Sequence, residues 1–108
     1  MKKIDLSIVI PSYDEEDSLP ILIKSINEKL KNKDIIFEII IIDDGSSDKT
    51  WNKIEILTKN FSNIFSIKFT KNYGKSDALD AGFKRSRGNY ILTMDADLQD
   101  DPEEIHKL

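Results

Sequence analysis

The stretch FEIIIIDDGSSDKT, residues 37–50, decides how this chain folds. Consecutive isoleucines at 39–42 leave no polar face, as expected of a strand covered on both sides, and such strands belong to parallel sheets. The run then breaks into DDGSSD, where Gly45 supplies a tight turn and Ser47 or Asp48 can cap a helix. Trp51, Ile54, Leu57 and Phe61 follow at helical spacing, with Trp51 read as core. Residues 37–61 therefore read as strand, turn, helix.

The same order recurs on either side. LSIVI (6–10) precedes a helix carrying Leu19, Leu22, Ile23, Ile26 and Leu30, with Ser18 as its cap and Pro20 tolerated in the first turn. IFSIKF (64–69) precedes a helix from about Ser76 to Ser86, whose Ala78, Ala81 and Gly82 allow close approach to a sheet and which Gly88 ends as a left-handed stop. YILTM (90–94) is a fourth strand, and Pro102–Leu108 reads as the start of a further helix. This alternation predicts the α/β class: a Rossmann-like, mostly parallel sheet with right-handed crossovers and helices on both faces. No repeat, linker or low-complexity tract divides residues 1–108, so one domain is expected.

Composition narrows the function. Hydrophobic residues at 39% suffice for a core, and the absence of cysteine removes disulfides and thiolate metal sites, in keeping with a reducing cytoplasm. A formal charge of −4 without a basic block argues against nucleic acid as a partner. The apolar part of MKKIDLSIVIPSY is too short before Pro11 for a signal peptide or a membrane span.

Ligands of open parallel sheets bind beyond the carboxyl ends of the strands. Here those ends read PSYDEE, DDGSSD, TKNYGKS and DADLQDD. Asp48 and Ser47 have a capping role as good as any functional one, Glu16 and Asp17 suit a helix entry, and Asp101 before Pro102 reads as a cap. Asp95 and Asp97 resist that explanation. They leave a buried strand too early to cap the next helix, and no Lys or Arg lies between residues 88 and 106. A hard divalent cation, Mg²⁺ or Mn²⁺, compensates such a pair and keeps positions for substrate phosphates, and Gln99 adds an amide oxygen. Lys75, following Gly74 into a helix, suits an anion, and with a metal across a cleft it suggests a diphosphate. The G-x-x-x-x-G-K-[ST] phosphate loop is absent.

The pieces LSIVIPSYDEEDSL, EIIIIDDGSSDKT, KNYGKSDALDAGF and GNYILTMDADLQDDPEEI together resemble the amino-terminal half of a family 2 glycosyltransferase of the GT-A fold. The branch with dolichol-phosphate mannosyltransferase and the polyprenyl-phosphate glycosyltransferases is the most similar. The resemblance implies that Pro11, Tyr13 and Glu15 line a pocket for base and ribose, with Ile42 and Asp44 closing its other side. It implies that Asp95, Ala96 and Asp97 form a D-x-D motif, with Asp97 and Gln99 as metal ligands and Asp95 near the sugar, ribose or metal. The implied partners are a UDP- or GDP-sugar donor and a polyprenyl phosphate or glycan hydroxyl acceptor. The implied location is the cytoplasm or the cytoplasmic face of a membrane. Asp14 stands where relatives usually carry Asn, a mild change, and Ser12 where they often carry Thr, Val or Ala, a neutral one.

By the same resemblance residues 1–108 form the donor half, with the acceptor wall and any catalytic base elsewhere, and His106 is a surface residue. An incomplete sheet edge makes a homodimer an expectation. Two other classes remain open from sequence: a receiver-type signalling domain, which also gathers acids and a Lys at strand ends, and a non-catalytic nucleotide-binding module.

Overall fold

The apolar runs form four parallel strands, β1 (Leu6–Ser12), β2 (Phe37–Asp43), β3 (Ile64–Lys68) and β4 (Tyr90–Thr93), separated by α1 (Ser18–Leu30), α2 (Thr50–Asn60) and α3 (Lys75–Arg85). These are the elements of a computed structural model, which describes residues 3–97. Gln99, Asp101, His106 and the helix start at Pro102 lie outside the described residues.

The strand order is β3-β2-β1-β4. From β1 the chain winds outward through β2 to β3, then returns to lay β4 along the other side of β1. The winding direction therefore reverses between β1 and β4, the point at which open α/β sheets leave a ligand crevice. A receiver-type sheet has β3 beside β1 instead, so that alternative is excluded.

Register explains how β1 runs through a proline. β1 and β2 pair from Leu6↔Phe37 to Ser12↔Asp43, whereas β1 and β4 pair only from Leu6↔Tyr90 to Val9↔Thr93. The Met94 amide donates to the Val9 carbonyl, so Val9, and by alternation Pro11, turn their backbone groups toward β4. Pro11 lies past the last β4 pair, where its missing N–H leaves no ladder bond unmade.

Side chains pack on both faces of the sheet, as expected from the continuous isoleucines. One face carries Ile8, Ile10, Ile39 and Ile41 against Leu19, Leu22, Ile23 and Ile26 of α1 and Ile54 of α2, with Trp51 half-buried at its margin. The other carries Val9, Ile40 and Ile42 against Ala78 of α3. A Cβ on Gly82 would sit 2.3 Å from Val9 Cγ1, so α3 lies as close to the sheet as its small residues predict. Strand β4 is less covered than its sequence suggests: Tyr90 is 76% and Ile91 47% exposed, because β4 is an edge of the described sheet.

The exception inside the apolar runs is Glu38, only 1% exposed. Its Oε2 accepts from the Ser7 hydroxyl at 2.6 Å and the Arg87 amide at 2.8 Å, and its Oε1 from the Arg87 guanidinium at 3.2 Å. Burial pushes the Glu38 carboxyl up, but the Ser7 and Arg87 hydrogen bonds and the Arg87 charge outweigh it and hold the group below its ordinary value. Beside it, the Gly88 amide donates to Ser7 Oγ at 2.8 Å. Gly88 is not the left-handed stop expected from sequence: the positive-φ glycines are Gly45 and Gly74. It is required for closeness, since a Cβ there would lie 2.6 Å from the Ser7 backbone nitrogen. The latch thus ties the entry of β4 to β1 and β2.

Glu38→Gln should cost about 1.5 to 3 kcal/mol in urea unfolding at pH 7, the range for hydrogen bonds to a charged group. Because the folded carboxyl titrates below the unfolded one, its contribution is full above the unfolded value of about 4.5 and is lost as pH falls through the folded value. The wild-type chain should therefore lose more stability between pH 6 and pH 3 than the Gln variant. Parallel pH profiles would show that Glu38 is not the latch.

Candidate functional site

Beyond the carboxyl end of the sheet, three strand ends and one loop enclose a cleft of about 530 Å³. Pro11, Ser12, Tyr13 and Glu15 come from the end of β1, and Asp44 from the end of β2. Asn72, Gly74 and Lys75 come from the entry to α3, and Asp95, Ala96 and Asp97 follow β4. The cleft lies at the reversal between β1 and β4.

Carboxylates hold the loops that form its walls. Asp14 sits at φ 52°, a left-handed conformation that Asp and Asn adopt more readily than other side chains. Its amide donates to Ser46 Oγ at 2.9 Å, and its Oδ1 accepts from the Ser47 amide at 2.7 Å, clamping the turn after β2 to the turn after β1. Asn would suit the same backbone. Asp48 Oδ1 accepts from the Thr50 amide at 2.9 Å, and Thr50 Oγ1 in turn accepts from the Glu15 amide at 2.8 Å. Burial pushes Asp48 up, but the Thr50 and Glu16 donors outweigh it and keep the carboxyl below its usual range. The residue preceding α2 is Lys49, so Asp48 works at one remove, serving the amide of the helix's first residue.

Ser18 does not cap α1, which begins after Asp17 without a side-chain cap. Its hydroxyl lies 2.6 Å from the Ala96 carbonyl and 2.7 Å from Glu15 Oε2, linking the start of α1 to the segment after β4. Its single proton serves one of the two acceptors at a time.

Asp44 is 4% exposed and grips the loop opposite. Its Oδ1 accepts from the Tyr73 amide at 2.8 Å, and its Oδ2 from the Gly74 amide at 3.0 Å and the Asn72 side chain at 3.2 Å. Gly45, at φ 70°, makes the adjoining turn against this loop: a Cβ there would lie 2.2 Å from the Lys71 carbonyl carbon. Asp44 thus forms wall and buttress together, fixing where Gly74 and Lys75 stand.

The charged end of the cleft holds Lys75, Asp95 and Asp97. Lys75 Nζ is 2.6 Å from Asp95 Oδ1, with the two side chains 61% and 37% exposed. A cation for Asp95 therefore comes across the cleft from α3, which the lack of Lys and Arg in residues 88–106 did not reveal. At that exposure the pair adds little stability, and its importance is in placing opposite charges where an anion and a cation can compete for them. Among the described residues no group of three or more His, Cys, Asp or Glu side chains stands ready for a metal. The two aspartates still fit Mg²⁺ or Mn²⁺, because such ions are commonly held by one or two carboxylates and complete their shell with water and substrate phosphate.

Of the residues singled out from sequence, Pro11, Tyr13, Glu15, Asp44, Lys75, Asp95, Ala96 and Asp97 share the cleft. Ile42 does not line it. Its side chain is fully buried in the α3-side core, packed with Val9 and Ala78. Gln99 lies outside the described residues. Sequence reasoning read Ser12 as a neutral change, passed over Asn72 and used Gly74 only as a neighbour of Lys75. Strand register would have found Ser12, whereas Asn72 had no local signal.

Known proteins resemble the chain in sequence and in fold. An undecaprenyl-phosphate 4-deoxy-4-formamido-L-arabinose transferase of Yersinia enterocolitica is 46% identical over 107 residues, covering 95% of this chain and 32% of the relative. An uncharacterized glycosyltransferase of Synechocystis is 44% identical, covering 97% of this chain and 33% of the relative. The chain thus spans about a third of the length of the relatives it matches. Among solved structures, Staphylococcus aureus TarS superposes with a TM-score of 0.79 at 22% identity, over 96% of this chain and 31% of that one. The mannosyltransferase PcManGT of Pyrobaculum calidifontis, in complex with GDP-Man and Mn²⁺, superposes with a TM-score of 0.76 at 20% identity, over 89% and 28%. The family model for glycosyl transferase family 2 matches residues 7–108, and the chain belongs to that family.

Proposed function

We propose that the cleft binds the nucleotide diphosphate of a UDP- or GDP-sugar, as part of a protein that transfers the sugar, with inversion, to a polyprenyl phosphate at the cytoplasmic face of a membrane. The observation that carries this reading is the division of the cleft. Pro11 and Tyr13 come from the end of β1, the charged set Lys75, Asp95 and Asp97 comes from the entry of α3 and the segment after β4, and Asp44 stands between them, bonded to the Gly74 amide. A nucleoside diphosphate has the same division between neutral nucleoside and charged phosphates. Relatives named for undecaprenyl-phosphate transfer support the acceptor class, and solved relatives in complex with GDP-Man and with UDP-GlcNAc support the donor class.

The roles follow from position. Tyr13 offers an exposed ring beside the nucleoside side of the cleft, and Glu15 a carboxylate within reach of ribose hydroxyls. Lys75 places an ammonium for the diphosphate at the amino end of α3, where the helix dipole adds to it. Mg²⁺ or Mn²⁺ held by Asp95 and Asp97, with Gln99, would supply charge to neutralise the leaving diphosphate. A polyprenyl phosphate acceptor is already an anion and needs no general base, whereas a glycan hydroxyl acceptor needs one. Residues 1–108 are then the donor-binding part of the domain.

Calorimetry with UDP and GDP tests this reading. Binding should require Mn²⁺ or Mg²⁺, and Asp97→Ala should weaken it by about 1.5 to 3 kcal/mol, the scale of contacts to a charged group. Unchanged affinity after both the substitution and chelation would remove the metal from the account. Lys75→Met should weaken diphosphate binding by about 0.5 to 1 kcal/mol, as befits a partly exposed charge, and leave nucleoside binding unchanged. An equal loss for nucleoside and diphosphate would contradict the assigned division.

A further inference from the structure

The Ser12 hydroxyl is the polar side-chain atom in the cleft region that folding leaves unused. Ser12 is 2% exposed, and among the described residues no group hydrogen-bonds to its Oγ. Every other buried hydroxyl or carboxylate around it is engaged: Thr50 with Asp48 and Glu15, Asp43 with the Ser46 amide, Asp44 with Tyr73 and Gly74. Burying a hydroxyl without a partner costs stability, and an apolar side chain of similar size would avoid that cost. The Ser12 carbonyl is used, since it accepts from the Asp44 amide at 2.8 Å. The side chain is idle.

Its location specifies what it can meet. Ser12 lines the cleft at the end of β1, opposite Asp43 in the β1–β2 register and beyond the last β4 pair. That places it between Pro11 and Tyr13 and beside Asp44, whose amide donates to the Ser12 carbonyl. A neutral hydroxyl can donate one hydrogen bond and accept others, which suits base edges and ribose hydroxyls; the diphosphate has charged groups of its own.

We infer that Ser12 Oγ is a hydrogen-bonding contact to the neutral nucleoside portion of the donor, a specificity residue for the cleft rather than part of its scaffold. The inference rests on the donor-binding reading given above. It makes Ser12 a position where stability has been exchanged for recognition.

The test pairs Ser12→Ala with Ser12→Thr in the same chain. Affinities for uridine, guanosine, UDP and GDP are measured with and without Mn²⁺, and thermal melting is measured without ligand. Ser12→Ala should melt at or above the wild-type temperature, since no protein hydrogen bond is lost. It should also weaken the preferred nucleoside and its diphosphate by a common factor of about 2 to 12, the span of one neutral hydrogen bond. Ser12→Thr keeps the hydroxyl and should retain affinity to within about twofold. If the wild-type chain binds none of these probes, the donor reading fails and takes this inference with it. If wild type binds and Ser12→Ala binds equally well, the inference alone is overturned. A lower melting temperature for Ser12→Ala with unchanged affinity overturns it too, by showing that the hydroxyl serves the fold.

Discussion

The last backbone bond between β1 and β4, from the Met94 amide to the Val9 carbonyl, is the constraint on which the site depends. Beyond it β1 continues with β2 alone as far as Ser12↔Asp43, while the chain after β4 turns away into Asp95, Ala96 and Asp97. The space between the parting strands is the cleft. Pro11 helps to maintain the separation, because it offers β4 no amide to pair with. A crevice at this position follows from strand order and register before any catalytic residue is considered.

What surrounds the crevice is an acid-rich surface in which most carboxylates have structural work. Asp14, Asp44 and Asp48 accept backbone amides from neighbouring loops, so three turns distant in sequence form one rigid rim. Such charge-assisted bonds are stronger than neutral ones, and they leave Lys75 and the aspartates after β4 to carry the charge that faces the cleft. Placement of Lys75 depends on this rim in particular, since Asp44 grips the two residues before it. Damage to Asp44 would therefore displace Lys75 through loop position.

Elements whose signal is local were legible in the sequence. Isoleucine runs gave the strands, steps of three and four gave the helices, and the strand ends pointed to Lys75, Asp95 and Asp97, while Pro11, Tyr13, Glu15, Asp44 and Ala96 came from the family resemblance. Features that need a partner far along the chain were not. Glu38 hides within an apolar run because Ser7 and Arg87, which satisfy it, are 31 and 49 residues away. Gly88 looked like a helix stop, and only its contact with Ser7 shows that closeness selects it. Ser18 looked like a cap, yet it bonds to Ala96, 78 residues on. Lys75 was noticed as an anion site, but its pairing with Asp95 required knowing that α3 and the end of β4 face each other. Ile42, placed in the pocket by resemblance, alternates to the covered face instead.

The central claim is that the ends of β1, β2 and β4 and the entry of α3 act as one donor-nucleotide site. Amide chemical-shift mapping of the chain with UDP or GDP and Mg²⁺ tests it most directly. The account predicts perturbations concentrated at Ser12–Glu15, Asp44, Asn72–Lys75 and Asp95–Asp97, with those at Asp95–Asp97 lost on chelation. Saturable shifts confined to the opposite end of the sheet, around Asp5, Ile35 and Tyr90, would contradict it.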